Sequence, residues 1–175
     1  AGSNAPGLVG RPPHTGPQAA AGFKVNLYAD KLAAPGVIRV APTGDVFVAE
    51  SGAGRIRVFR GMKADGKPQE SQVFAGNLSR PYGSAFYPVG PDPRWVYVGD
   101  TDAVVRFSYR SGDLKARSKA EHIADLPHGS GHWTRDVRFS RDGSTLFVAV
   151  GSASNVDDPN TTPAELHRAD ILAFD

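Results

Sequence analysis

Val46-Phe47-Val48-Ala49-Glu50 returns fifty residues later as Val96-Tyr97-Val98-Gly99-Asp100, and fifty after that as Leu146-Phe147-Val148-Ala149-Val150. Each copy follows a shorter apolar run and a turn. These are Val37-Ile38-Arg39-Val40 before Pro42-Thr43-Gly44-Asp45, Gly83-Ser84-Ala85-Phe86 before Pro91-Asp92-Pro93, and Asp136-Val137-Arg138-Phe139 before Arg141-Asp142-Gly143. A third run follows each copy at 55–60, 104–109 and 170–174, and a fourth closes the first two units at 71–75 and 121–125. Self-similarity at this period marks stacked supersecondary units, and a unit made only of short β-rich runs and turns reads as a propeller blade.

The fold class expected is therefore all-β, a β-propeller, with blades at about 36–77, 83–126 and 134–175. The middle run of each unit is continuously apolar, as a strand covered on both faces requires. The third run alternates, with Arg55 and Arg57 outward and Ile56 and Val58 inward. Closed propellers have about four to eight blades, so three units read as roughly half of a larger ring. Residues 23–29 resemble an outer strand with no inner strands before it, the kind of orphan that closes the last blade of a ring. No long stretch carries a helical period with a cap, so helix is expected to be minor.

Charge and composition narrow the function classes. Lys and Arg total 20 against 18 for Asp and Glu. The cluster Arg55, Arg57, Arg60 and Lys63 reads as the polar face of an alternating strand, so no nucleic-acid partner is expected. Cysteine is absent, which removes disulfides, thiolate metal sites and a catalytic thiol. No apolar run approaches 18 residues, so no membrane span is expected. Residues 1–21, rich in Pro and Gly, read as a flexible leader. The start Ala1-Gly2-Ser3 suits a mature terminus left by signal cleavage, and a periplasmic or secreted location is expected. Asn77-Leu78-Ser79 and Asn160-Thr161-Thr162 match glycosylation sequons of a length that chance also produces.

Blade topology sorts the loops. In a four-stranded meander, the connections from strand two to three and from one blade to the next share one rim. That rim collects Leu78-Ser79-Arg80-Pro81-Tyr82, Pro127-His128-Gly129-Ser130-Gly131-His132-Trp133 and the 18-residue connection 151–168. An insertion on one rim carries function more often than not. His132 stands at the mouth of the third inner strand, and with an unperturbed pKa of about 6.5 a histidine is the natural base candidate. His14, His122, His128 and His167 read as exposed or satisfied imidazoles. Arg80 and Arg135 are expected at the channel mouth, where a guanidinium fork could hold an anionic ligand, or else as donors to inter-blade carbonyls. Asn155, Asp157, Asp158 and Asn160 gather oxygen donors of the kind calcium prefers, at a spacing that matches no EF-hand and in residues that turns favour anyway. Gly52-Ala53-Gly54 does not extend to a dinucleotide fingerprint, and neither a phosphate-binding loop nor a G-x-S-x-G elbow occurs.

Six stretches carry a family resemblance. Gly22-Phe23-Lys24-Val25, Ala41-Pro42-Thr43-Gly44-Asp45 with the run through Ser51, Arg80-Pro81-Tyr82-Gly83-Ser84-Ala85-Phe86, Thr101-Asp102-Ala103-Val104-Val105-Arg106, Gly131-His132-Trp133-Thr134-Arg135-Asp136 and Val150-Gly151-Ser152-Ala153-Ser154-Asn155 are similar to successive motifs of the sorbosone dehydrogenase-like branch of the soluble glucose and aldose sugar dehydrogenases. The resemblance implies a six-bladed propeller that binds pyrroloquinoline quinone (PQQ), with calcium, in the channel on one face. It implies that His132 is the general base, taking the proton of the sugar's anomeric hydroxyl while hydride passes to the quinone. On these motifs Arg80, Tyr82, Arg135, Ser152 and Asn155 are the expected cofactor-binding residues. Ser152 stands where glucose-oxidising relatives carry an aspartate that supports the base. Most family contacts to the quinone and its calcium come from motifs that would follow Asp175.

The expected function is thus PQQ-dependent oxidation of an aldose or related aldehyde or polyol, with a sugar substrate and a separate electron acceptor. The remaining blades would come from a longer chain, a second fragment or a second copy, and this piece alone is expected to be inactive. Two other readings remain: a calcium-dependent propeller lactonase with Glu50, Asp100 and Asn155 on the metal, and a non-catalytic propeller that binds a partner or glycan on its loop face.

Overall fold

The computed structural model describes residues 12, 16–129, 131–156 and 166–175. Three antiparallel meanders follow one another in chain order. The first holds β1 (Pro35–Val40), β2 (Val46–Glu50), β3 (Arg55–Arg60) and β4 (Glu70–Ala75). The second holds β5 (Gly83–Tyr87), β6 (Trp95–Gly99), β7 (Ala103–Ser108) and β8 (Glu121–Asp125). The third holds β9 (Arg135–Phe139), β10 (Leu146–Val150) and β11 (Asp170–Phe174). Each strand pairs only with its neighbours in sequence, and a short 3-10 turn, Ser51–Ala53, is the sole helical piece among the described residues.

Register repeats from sheet to sheet. The equivalent residue of each middle strand, Val46, Val96 or Leu146, faces a phenylalanine of the third strand: Phe59, Phe107 and Phe174. Consecutive sheets then pack face to face through two apolar clusters. Phe47, Ile56, Val58 and Phe74 of the first sheet meet Val96, Val98, Phe107 and Tyr109 of the second. Tyr97 and Val104 on the other face of the second sheet meet Val137, Leu146, Val148 and Val150 of the third. Because strand side chains alternate between faces, β6 needs apolar residues at every position, which explains its unbroken Val-Tyr-Val run. This is a β-propeller arrangement, with the inner strands β1, β5 and β9 side by side.

Two features depart from the sequence reading. In β10 only alternate residues are buried, and Phe147 is 41% exposed, because one face alone of the third sheet has a neighbouring sheet among the described residues. Residues 23–29 form no ladder. They lie against the first sheet instead, where the Tyr28 ring sits edge-on to Phe59 at 5.7 Å while Phe23, Val25 and Leu27 face solvent. Alternation alone makes no strand when no free edge runs alongside to supply hydrogen bonds.

The inner ends of the first and third sheets are tied directly. Arg39 on β1 donates from Nη2 to both carboxylate oxygens of Asp136 on β9, at 2.7 and 2.9 Å. Asp136 lies so close to Gly83 at the start of β5 that a Cβ there would overlap its carboxylate and its Cα. Glycine at 83 is therefore a packing requirement. Gly83→Val is expected to cost about 1–3 kcal/mol, the usual range for overpacking. Urea unfolding of the complete protein checks this against Gly76→Val, where the new Cβ meets nothing within 4 Å.

Candidate active site

His132 belongs to the crossover between the second and third sheets, a stretch with no ladder of its own, and its position is set by what its main chain bonds to. Its N–H donates to the Ser152 carbonyl at 2.8 Å. Its carbonyl accepts from two guanidinium groups, Arg135 Nη1 and Arg168 Nη2, each at 3.1 Å. Arg135 is fully buried and also donates to the carbonyls of Thr134 and Pro127. Arg168 is 3% exposed and donates further to the carbonyls of Gly151 and Ser152. Burial, with the Arg168 charge adding to it, lowers the Arg135 pKa to about 10. Gly151 completes the clamp, since a Cβ there would lie 2.8 Å from the His132 Cβ.

The His132 ring is exposed, and its Nδ1 is 2.7 Å from the Ser152 hydroxyl. That contact occupies one ring nitrogen and leaves Nε2 without a partner among the described residues. A histidine oriented through Nδ1 with Nε2 open has the geometry of a general base or acid. The next residue, Trp133, carries the Arg80 guanidinium over its ring at 4.1 Å, and the Tyr82 ring meets it edge-on at 6.0 Å. Arg80 is exposed and sits at φ 54°. A cation–π contact of this kind orients a guanidinium while keeping its N–H fork available.

Five of the expected site residues thus fall around the same crossover and its neighbour loop: His132, Ser152, Arg80, Tyr82 and, beneath them, Arg135. Arg135 sits there as a strut. With its Nη atoms on three main-chain carbonyls and no exposure, it takes the inter-blade role rather than facing the channel mouth. Asn155 lies exposed three residues beyond Ser152. Arg168 and Trp133 were not singled out from sequence. Arg168 closes a loop whose length hides its return to His132, 36 positions upstream.

The acidic residues of the lactonase reading are not assembled for a metal. Glu50 is fully buried. Burial favours its neutral form, but hydrogen bonds from Arg55, the Ala33 N–H and Arg57 outweigh that and lower its pKa to about 2. Both its oxygens are occupied by these donors, at 2.7–3.0 Å. Among the described residues no three histidine or carboxylate side chains converge. His14, Asp157, Asp158 and Asn160 lie outside the described residues. His122 pairs with Asp125 and His128 Nδ1 with the Leu126 carbonyl, satisfied as expected of them.

Residues 17–175 match the TrAA12-like family. The chain belongs to that family. Among solved structures, this TrAA12-like chain is similar to the holo form of the pyranose dehydrogenase PQQ domain from Coprinopsis cinerea, at 25% identity and a TM-score of 0.76, over 90% of this chain and 37% of that one. It also resembles the iodide structure of the Trichoderma reesei Carbohydrate-Active Enzymes Family AA12, at 22% identity and a TM-score of 0.75, over 91% of this chain and 40% of that one. The chain thus spans about two-fifths of the length of these relatives. No curated protein matches it.

Among the described residues, the buried carboxylate of Asp100 has no cationic partner. Asp100 is 5% exposed, accepts the Ser79 N–H at one oxygen and has no bond at Oδ1. Burial, partly offset by that N–H and reinforced by Asp102, raises its pKa from 3.8 to about 6. The folded chain therefore holds this proton more tightly than the unfolded chain. The contribution to stability is greatest below about pH 4 and is lost as pH rises through about 6. Asp100→Asn is expected to raise stability by about 1–3 kcal/mol at pH 7.5 and to converge on wild type at pH 4. Thermal melts at the two pH values measure this, and equal melting temperatures at pH 7.5 would contradict it.

Proposed function

We propose that the protein to which this chain belongs oxidises a sugar in a PQQ-dependent reaction, with His132 as the base. The observation that carries this reading is the 2.7 Å contact of His132 Nδ1 with the Ser152 hydroxyl, which orients the ring and leaves Nε2 open. Family membership and the likeness to a PQQ domain support the same chemistry.

The residues present fit the quinone in part. PQQ is a tricarboxylate, and the exposed guanidinium of Arg80, already oriented on Trp133, suits one of its carboxylates. Tyr82 and Trp133 would form an aromatic wall beside it, and Asn155 offers an amide on the neighbouring loop. When bound, PQQ supplies a two-electron acceptor for hydride. His132 Nε2 takes the proton of the hydroxyl being oxidised, and Ser152 keeps the ring from turning as charge develops on it. Arg135 and Arg168 act one layer below, fixing the main chain that carries the imidazole. Calcium, which the resemblance carries with the quinone, belongs to the same proposal, and no three described histidine or carboxylate side chains converge to hold it alone.

The finer assignment, to aldoses and sorbosone-type aldehydes, rests on the six motifs. A separate electron acceptor, a periplasmic or secreted location and further blades from a longer chain, a second fragment or a second copy belong to the same proposal. The test uses the complete protein with PQQ and calcium, following dye reduction by aldoses and by sorbosone. His132→Ala should lower kcat by about 10²–10⁴ with quinone absorbance retained. Ser152→Ala should lower it by about tenfold to a hundredfold. Undiminished turnover in His132→Ala would remove the base assignment.

A further inference from the structure

The inner strands have a second end, away from His132, and it is lined with arginine. A cavity of about 360 Å³ lies where β1, β5 and β9 run into their first turns. Its walls include Arg39, Arg138, Arg141, Phe86, Val89 and Phe139. Arg138 is three residues further along β9 than Arg135, or about 10 Å at the usual strand rise. This cavity is therefore separate from the loops that carry His132.

The three guanidinium groups differ in their commitments. The Arg39 side chain is 17% exposed and locked by Asp136 through Nη2 and by the Ile38 carbonyl through Nη1. Its Nε is buried and has no acceptor among the described residues. Arg138 and Arg141 are exposed and make no hydrogen bond or ion pair among the described residues. Asp142, beside Arg141, turns its carboxylate into its own tight turn, onto Ser140 and Ser144. Three cations against the carboxylates of Asp136 and Asp142 leave a net of one positive charge about one concave space, with two of the guanidinium groups uncommitted. Like charges gathered in a cleft with low-dielectric walls concentrate field there and attract an anion.

We infer that this cavity is a binding site for a small organic anion of at least two negative charges, carried on carboxylate or phosphate groups. The guanidinium fork matches the planar oxygens of either group. The apolar side of the wall, Phe86, Val89 and Phe139, accepts a carbon skeleton. The volume lies in the range of small-molecule sites, about 300–1,000 Å³. Such an anion would join the inner ends of the first and third sheets, where Arg39 and Asp136 already meet.

The experiment is isothermal titration of the complete protein at low ionic strength, loaded with PQQ so that the cations near His132 are already engaged. Citrate and pyrophosphate are titrated separately. The expected result is saturable binding of at least one of them that weakens as salt is added. Citrate alone would assign carboxylate chemistry, and pyrophosphate alone would assign phosphate. Arg138→Gln and Arg141→Gln should each weaken binding about tenfold or more, the scale of one charge-assisted hydrogen bond. Arg141 lies on an exposed turn, so its variants test the site without burdening the fold, and Arg141→Lys should recover part of the affinity. No saturable binding of either anion, or the same affinity in the double variant as in wild type, would overturn the assignment.

Discussion

A guanidinium group with no access to water holds the crossover that carries His132. Burying a cation is unfavourable unless hydrogen bonds replace its hydration, and Arg135 meets that condition at its two Nη atoms with main-chain carbonyls of the crossover before β9, while its Nε finds no acceptor among the described residues. The described residues of the crossover, Pro127, His128, Gly129 and 131–134, make no ladder, so their shape comes from outside themselves. Arg168 arrives from the far side of a long loop and bonds the same His132 carbonyl. Two positive charges thus converge on one oxygen, and the repulsion between them is held in check by the carbonyl dipoles around them. The imidazole inherits its position from this arrangement, and Ser152 sets only its rotation.

The sheets below make such a clamp possible. The second sheet is covered on both faces and acts as the spine, with the aromatic rings of Phe47, Phe74 and Tyr109 on one side and Tyr97 against Phe139 on the other. Glycine at the inner end of that sheet lets Arg39 and Asp136 meet past it. The inner strands then serve two ends with different chemistry. One end presents a hydroxyl-oriented histidine beside a tryptophan and an arginine. The other presents Arg138 and Arg141, without partners among the described residues, over an apolar wall. Both follow from inner strands that lie side by side and open at each end into different loops.

Much of the fold was legible because repetition is a property of spacing. The echo at Val46, Val96 and Leu146 marks three strands that do have equivalent registers. The facing residues Phe59, Phe107 and Phe174 are equally equivalent, but unequal loop lengths break their spacing and hide them. The rim on which His132 stands could be read because topology sends its loop there. Arg168 could not, since an 18-residue connection does not disclose where its last residue returns. Arg135 was readable only as one of two alternatives, because a strand-opening arginine can face a channel or a neighbouring backbone and local sequence does not distinguish them. The run at 23–29 alternates like a strand and makes none, because pairing depends on what lies alongside.

The chain belongs to the TrAA12-like family, and the proposed chemistry would take place at the loops around His132. The most direct measurement is a crystal structure of the complete protein with PQQ and a sugar bound. His132 Nε2 is predicted to lie within about 2.6–3.2 Å of the hydroxyl being oxidised, with Nδ1 still on Ser152. An imidazole turned into bulk solvent, released from Ser152 and away from the sugar, would contradict the account.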